Sequence, residues 1–237
     1  MLKCYSIVIM SVCLTFNVLA SGDSQRWQIK AVTAISFPGL EVLADGKFKP
    51  GSAYNYRAII DCMEHQLNAD FVWQQFPTAR LVHVTVKHQF DVIFPMGYTP
   101  ERSKLLQPSD YLVQEQDYWA YLRPQPDWQN KQLNIAVKQA SPQAEWLAQQ
   151  GYQNIHQVND YKQLLPLLRA GRVEAISVPG AVAAEYQKAA IEGLALSGYY
   201  QREAGFYLNP GFAAEYLPQF NQAVRQCRHL AVLDLPE

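Results

Sequence analysis

The chain has 237 residues, 20 basic against 21 acidic side chains, and 49% hydrophobic residues. Near-neutral charge with no basic stripe excludes the usual nucleic-acid binders, and the lack of an acidic tail argues against a disordered chain. Abundant aromatics (Tyr 14, Phe 10, Trp 5) fit a compact protein with aromatic-lined surfaces instead.

Residues 1–20 read as an export leader. Lys3 precedes an uncharged apolar run, and Val18-Leu19-Ala20 supplies the small residues that a signal peptidase needs. The run is too short for a comfortable membrane span, and nothing later is long and apolar enough for one. Cleavage is expected after Ala20. Cys13 follows Val12 rather than a small residue, which argues against a lipoprotein cut. The predicted product is soluble, exported and large enough for one domain or two small lobes. Cys4 and Cys13 leave with the leader, so Cys62 and Cys227 remain, an even pair in an oxidising compartment. They read as a disulfide, with two free thiols as the alternative.

The elements then follow in order. "RWQIKAVTAI" alternates as a strand, and "SFPGLEVLADGKFKPGS" is turn-rich with a short hairpin about Asp45-Gly46. "AYNYRAIIDCMEHQLN" has helical period, with Tyr56, Ile59, Ile60, Met63 and Leu67 on one face. "ADFVWQQF" is a strand, "PTARLVHVTVKH" a helix despite its β-branched residues, "FDVIFPM" a strand, "TPERSKLLQ" a helix and "DYLVQEQDYWAYLR" extended. A second series begins with strand "QLNIAVKQ" and helix "SPQAEWLAQQG", which Gly151 ends. Strand "YQNIHQV", helix "DYKQLLPLLRAG", strand "RVEAISV" and helix "GAVAAEYQKAAIEG" continue it. Strand "LALSGYYQREAGFYLNP" and helix "GFAAEYLPQFNQAVRQCRHLAV" close the chain. Alternating strands and helices predict an α/β fold with mainly parallel pairing. "KHQFDVIFPMG" and "AGRVEAISVPG" echo one another as helix end, acid, apolar strand and Gly turn. That echo suits two similar lobes.

In open α/β sheets, ligands sit beyond the carboxyl ends of strands, where helices begin. "FDVIFPMGYTPER" is such an end: Thr99 suits an N-cap, Pro100 the first helical position, and Arg102 falls in the first turn. A cation there opposes the helix dipole, so either Arg102 pairs with an acid such as Glu101, or it and the free N–H groups face an anion. Its two parallel donors match a carboxylate. Ser141 and Pro142 repeat the arrangement in the second series, where a plain helix cap is the simpler role. Phe37, Phe76, Tyr98 and Trp119 fall at strand ends or loops, where each could stack on a ligand or pack a core. Lys138 and Gln139 are candidate polar contacts or solvated residues, and Met96 and Gly97 complete the first strand end.

Enzyme templates are missing: there is no Gly-x-Ser-x-Gly elbow, His-Glu-x-x-His, phosphate loop or dinucleotide fingerprint. The five histidines show no metal-ligand spacing, and no Cys-x-x-Cys pair supports metal or redox chemistry. Asp91 and Glu174 both precede strands, away from the ligand end, and read as structural. No catalytic residue, metal or cofactor is expected.

With "FDVIFPMGYTPER", "SDYLV", the "FPGLEVLADGK" opening and a leader ahead, the chain resembles the family 3 extracellular solute-binding proteins, the type II periplasmic binding proteins typified by polar amino-acid receptors of ABC transporters. The resemblance runs over essentially all of the chain after the leader. It implies two α/β lobes, each a mainly parallel sheet flanked by helices, joined by two hinge crossings. Lobe 1 would comprise 21–113 and 206–237, and lobe 2 114–205. It further implies a monomer that captures a small carboxylated solute for an inner-membrane permease or receptor, with no nucleic-acid partner. In its terms Arg102 grips the ligand carboxylate, Phe37 stacks on the ligand and Ser141 is the polar helix start of lobe 2. Two departures stand out. Pro95 and Gly97 replace hydroxyl residues, and Pro179 replaces the acid that would hold a ligand ammonium. The resemblance therefore implies either an unusual carboxylate ligand or a sensory or partner-binding protein that keeps the clamp without an ordinary amino acid.

Overall fold

The computed structural model describes residues 26–35, 37, 40–51 and 54–232. The expected leader over 1–20, with Cys4 and Cys13, lies outside them, as do the ends 21–25 and 233–237 of the expected first lobe.

The first strand–helix series is β1 (Trp27–Ala34), α1 (Tyr56–Leu67), β2 (Ala69–Phe76), α2 (Thr78–Val86), β3 (Val92–Gly97), α3 (Pro100–Ser103) and a short β4 (Gln107–Pro108). β5 (Val113–Leu122) leads to the second: β6 (Ile135–Lys138), α4 (Pro142–Gln149), β7 (Ile155–Val158), a single 3-10 turn, α5 (Leu164–Arg169), β8 (Ala175–Pro179) and α6 (Gly180–Lys188). β9 (Leu194–Leu208) and α7 (Pro210–Cys227) follow. The periodicities behind this order hold. Tyr56, Ile59, Ile60 and Met63 are buried on one face of α1, whose ends are marked by Asn55 and Asn68 in the left-handed region that asparagine tolerates. α2 forms despite its β-branched residues because Leu81, Val84 and Thr85 bury one stripe.

One expectation needs correcting. The helix expected over "TPERSKLLQ" is a single turn, ending at Ser103. Leu106 is drawn into the core beside Leu81 and Tyr207, and Gln107–Pro108 pair with β9. Tertiary burial overrides local propensity there.

The strands run in the order β2-β1-β3-β9-β5-β8-β6-β7, with β4 also on β9. β2-β1-β3 and β8-β6-β7 are each parallel. The two sets are joined by antiparallel β9 and β5. β9 pairs with β5 from Leu194 to Ala204 and with β3 from Ala204 to Leu208. Alternating side chains bury apolar clusters on both faces of each set: Ile29, Phe94 and Phe206 against Val32, Ile93 and Tyr207 in one, Ala136 and Ile176 against Ile135 and Trp119 in the other.

The sequence echo has a geometric counterpart. The Lys30 N–H donates to Asp91 Oδ2 and the Asp91 N–H to the Lys30 carbonyl, both at 2.8 Å. In the second set the Asn134 N–H donates to Glu174 Oε2 at 2.9 Å and the Glu174 N–H to the Asn134 carbonyl at 2.8 Å. Both acids thus clasp a neighbouring strand, the structural role expected of them. Cys62 and Cys227 are disulfide-bonded, tying α1 to the end of α7 across 165 residues of sequence. Among the described residues no helix is long and apolar enough to cross a membrane.

Candidate functional site

Arg102 is positioned by its neighbours rather than by a helix dipole, which a four-residue turn hardly develops. Thr99 Oγ1 accepts from the Arg102 N–H at 3.3 Å. The Tyr207 hydroxyl accepts from the Thr99 N–H, donates to the Thr99 carbonyl, and lies 2.9 Å from Ser103 Oγ. β9 therefore holds this turn against the end of β3. The guanidinium, 7% exposed, donates to the Gly97 carbonyl and, across from the second strand set, to the Ala140 carbonyl, each at 2.7 Å. Glu101 pairs with Lys104 instead. Burial pushes the Arg102 pKa down, with Glu145 pulling it back.

Arg102 lines a cavity of about 60 Å³, room for a few waters and far below the roughly 300–1,000 Å³ of sites that enclose small molecules. Phe37, Met96, Gly97 and Ser141 line it too, with Lys138. Phe37 meets Tyr56 and Tyr161 edge-on, at 6.2 and 6.1 Å between ring centres. Ser141 Oγ accepts from the Ala144 N–H at 3.2 Å, as an N-cap does. Lys138 Nζ reaches Thr78 Oγ1 and lies 5.1 Å from the centre of the Tyr161 ring. Burial lowers its pKa to about 8, against the pull of Asp160.

Four expected contacts lie elsewhere. Phe76 packs on Phe90 beneath Arg80. The Tyr98 hydroxyl bonds to Ser109 and the Asp110 carbonyl. Trp119 stacks between Trp128 and Tyr199 in a core cluster. Gln139 is exposed. All five histidines are exposed as well.

Reading the sequence missed the charged floor of this cavity. Arg202 of β9 donates from Nε to Asp117 Oδ2 at 2.9 Å, and from Nη2 to Glu115 Oε2 at 2.8 Å and Asp117 Oδ1 at 3.1 Å. Gln143 Nε2 completes the Asp117 shell at 2.6 Å. The three charged groups are 8%, 5% and 0% exposed for Arg202, Glu115 and Asp117, so they are interior ions held by one another. Burial, reinforced by Glu115, pushes the Asp117 carboxyl up to about 6 despite Arg202, and the two carboxylates push Arg202 up against its own burial. The signal that could have found them is the pair of acids in "QEQD": residues two apart on a strand share a face. Gly97 belongs to the same group. A Cβ there would lie 2.1 Å from Arg202 Nη1 and 2.8 Å from Pro142 Cγ, so the glycine expected to be a departure is what lets the guanidinium lie against β3. Pro179, the other departure, pairs in register with Asp117.

Chemically the cavity can hold an anion. Among the described residues, three cations (Arg102, Lys138, Arg202) and one carboxylate (Glu115) line it beside phenols and apolar rings, with the hydroxyls of Ser141 and Thr78.

No protein-family model matches the chain, and no curated protein matches it in sequence. Solved structures match it in shape. A histidine kinase sensor domain with similarity to periplasmic binding proteins gives a TM-score of 0.72 at 15% identity, over 86% of this chain and 92% of that one. An ancestral arginine-binding protein bound to arginine gives 0.70 at 17%, over 86% and 93%. The substrate-binding protein of an amino acid ABC transporter gives 0.68 at 17%, over 85% and 93%. At such identities the likeness establishes the fold. The chain has the two-lobed type II periplasmic binding protein fold, its parallel strand sets joined by the crossing strands β5 and β9.

Proposed function

We infer that the chain is a periplasmic solute-binding protein that encloses a small carboxylated ligand between two lobes, 21–113 with 206–237 and 114–205, and presents it to an ABC transporter. The observation that carries this reading is the buried Arg102 guanidinium, which joins the carbonyls of Gly97 and Ala140 at a cavity with an excess of cations. A buried guanidinium that gives its donors to neutral carbonyls gains from a charge-assisted bond to an incoming carboxylate. Aromatic walls at Phe37 and Tyr161 supply shape. The small cavity requires the lobes to part before a ligand enters, and ligand contacts then favour closure.

A thermal-shift series on the purified chain tests it. A true ligand at a hundredfold excess over Kd stabilises by about 2.7 kcal/mol, and Arg102→Ala should abolish the shift while remaining folded. If no small acid raises the melting temperature, solute capture is the wrong reading. The sensor-domain likeness supports a second one: the same clamp presenting its ligand to a membrane receptor. That reading predicts the same thermal shifts, but a receptor rather than a permease recovered by crosslinking in the presence of ligand.

A further inference from the structure

The charged floor narrows the ligand class, an inference that rests on the solute-binding reading above. Among the described residues, two buried polar atoms at the cavity lack a hydrogen-bond partner: Arg202 Nη1, a donor, and Glu115 Oε1, an acceptor. Both residues line the cavity, and each leaves its free atom because the rest of its side chain is spent on the Arg202–Glu115–Asp117 cluster. Buried polar atoms of this kind are costly unless something satisfies them. The group that answers both must accept a hydrogen bond from Arg202 and donate one to Glu115. A hydroxyl does both. An ammonium has donors only and would be set beside a guanidinium, whose like charge repels it.

The charges on the lining favour the same end of a ligand. Arg102 and Lys138 line the cavity as cations that a carboxylate can meet, with Glu145 and Asp160 the acids that act on them, whereas Arg202 is matched by Glu115 and Asp117. The pair of acids that could have held a ligand cation already holds one. We propose that Arg202 fills from within the place a ligand ammonium would take, so that the cleft selects 2-hydroxy monocarboxylates over the amino acids of the same skeleton. The carboxylate meets Arg102, the hydroxyl bridges Arg202 Nη1 and Glu115 Oε1, and the apolar remainder faces Phe37, Met96 and Ile59.

Isothermal titration at pH 7 with matched pairs tests this: lactate and alanine, 2-hydroxyisocaproate and leucine, phenyllactate and phenylalanine. The expected result is at least one hydroxy acid that binds tenfold or more tighter than its amino acid. An amino acid that binds as tightly as its hydroxy acid, or tighter, overturns the assignment while leaving solute binding intact. If neither member of any pair binds, the solute-binding reading falls and this inference with it. Arg202→Ala exposes the Glu115–Asp117 pair to the ligand, and the preference should then invert toward the amino acid. An unchanged ratio with equal loss for both members would mean that Arg202 is only structural. Because Arg202→Ala strands two buried carboxylates at a cost in stability, which a circular-dichroism melt reads, Arg202→Lys is the second variant. It keeps the charge, so the hydroxy-acid preference should persist with weaker affinity, and its reversal would count against the inference.

Discussion

Gly97 shows how one missing methyl group can set a site's chemistry. Arg202 cannot retreat from an added Cβ without loosening its bonds to Asp117 and Glu115, and Pro142 on the other side is a rigid ring. Overpacking of this kind costs about 1–3 kcal/mol, and disturbing a buried ion pair adds to it. Gly97→Ala should therefore lower the unfolding free energy in urea by about 2–4 kcal/mol; a change within experimental error would mean the guanidinium moves freely. Lys138 offers a pH test. Its folded pKa of about 8 lies below the ordinary value of 10.5, so between those values the unfolded chain binds more protons and stability rises with pH. Anion affinity should move the opposite way, falling as pH rises through about 8 and Lys138 loses its charge. The groups facing it are Arg102, Asp160, Thr78 and Tyr161, so titration between pH 7 and 9.5 is expected to isolate the lysine. In Lys138→Met the profile should be flat. Arg102 was legible because Thr99-Pro100 announces a helix start beside it. Arg202 was not, because its partners lie 85 and 87 residues away and only the antiparallel register of β5 and β9 brings them together.

Among the elements, strand and helix order could be read almost throughout, since apolar period and turn residues are local signals. What could not be read was competition between local and distant partners. α3 stops after one turn because Leu106 and β4 belong to β9, and nothing in "TPERSKLLQ" announces that pairing. The site aromatics failed to separate for the same reason: a ring in a loop looks alike whether it meets a ligand or, as Trp119 does, two other rings. The disulfide could be anticipated from an even cysteine pair, and its consequence belongs to α1 and α7. Cys227 is fully buried, and the bond closes a loop of 165 residues, so its loss frees a large unfolded ensemble. Loss of such a bond typically costs about 2–5 kcal/mol. Cys62→Ala with Cys227→Ala should accordingly lower the melting temperature by on the order of 10 °C without changing ligand affinity, since neither cysteine lines the cavity. Calorimetry beside titration checks both halves; weakened binding at an unchanged melting temperature would contradict them.

For the whole molecule, the arrangement of β5 and β9 matters most, because these two strands alone link the parallel sets within the sheet. Across the cleft, the contacts that bring the sets together include Arg102 with the Ala140 carbonyl, Lys138 with Thr78, and Phe37 edge-on to Tyr161. The first two involve charged donors, and each such bond contributes about 1.5–3 kcal/mol. Removing one such bond from a closed form moves its ratio to an open one by roughly 10- to 150-fold. Arg102→Gln removes the charge from the contact with Ala140 while keeping a polar side chain. Small-angle scattering of the ligand-free variant should then give a larger radius of gyration than the wild type, and added ligand should fail to restore the compact curve. If the two proteins scatter alike yet only the wild type binds, Arg102 anchors the ligand without latching the lobes, and closure must rest on Lys138 and the Phe37–Tyr161 contact.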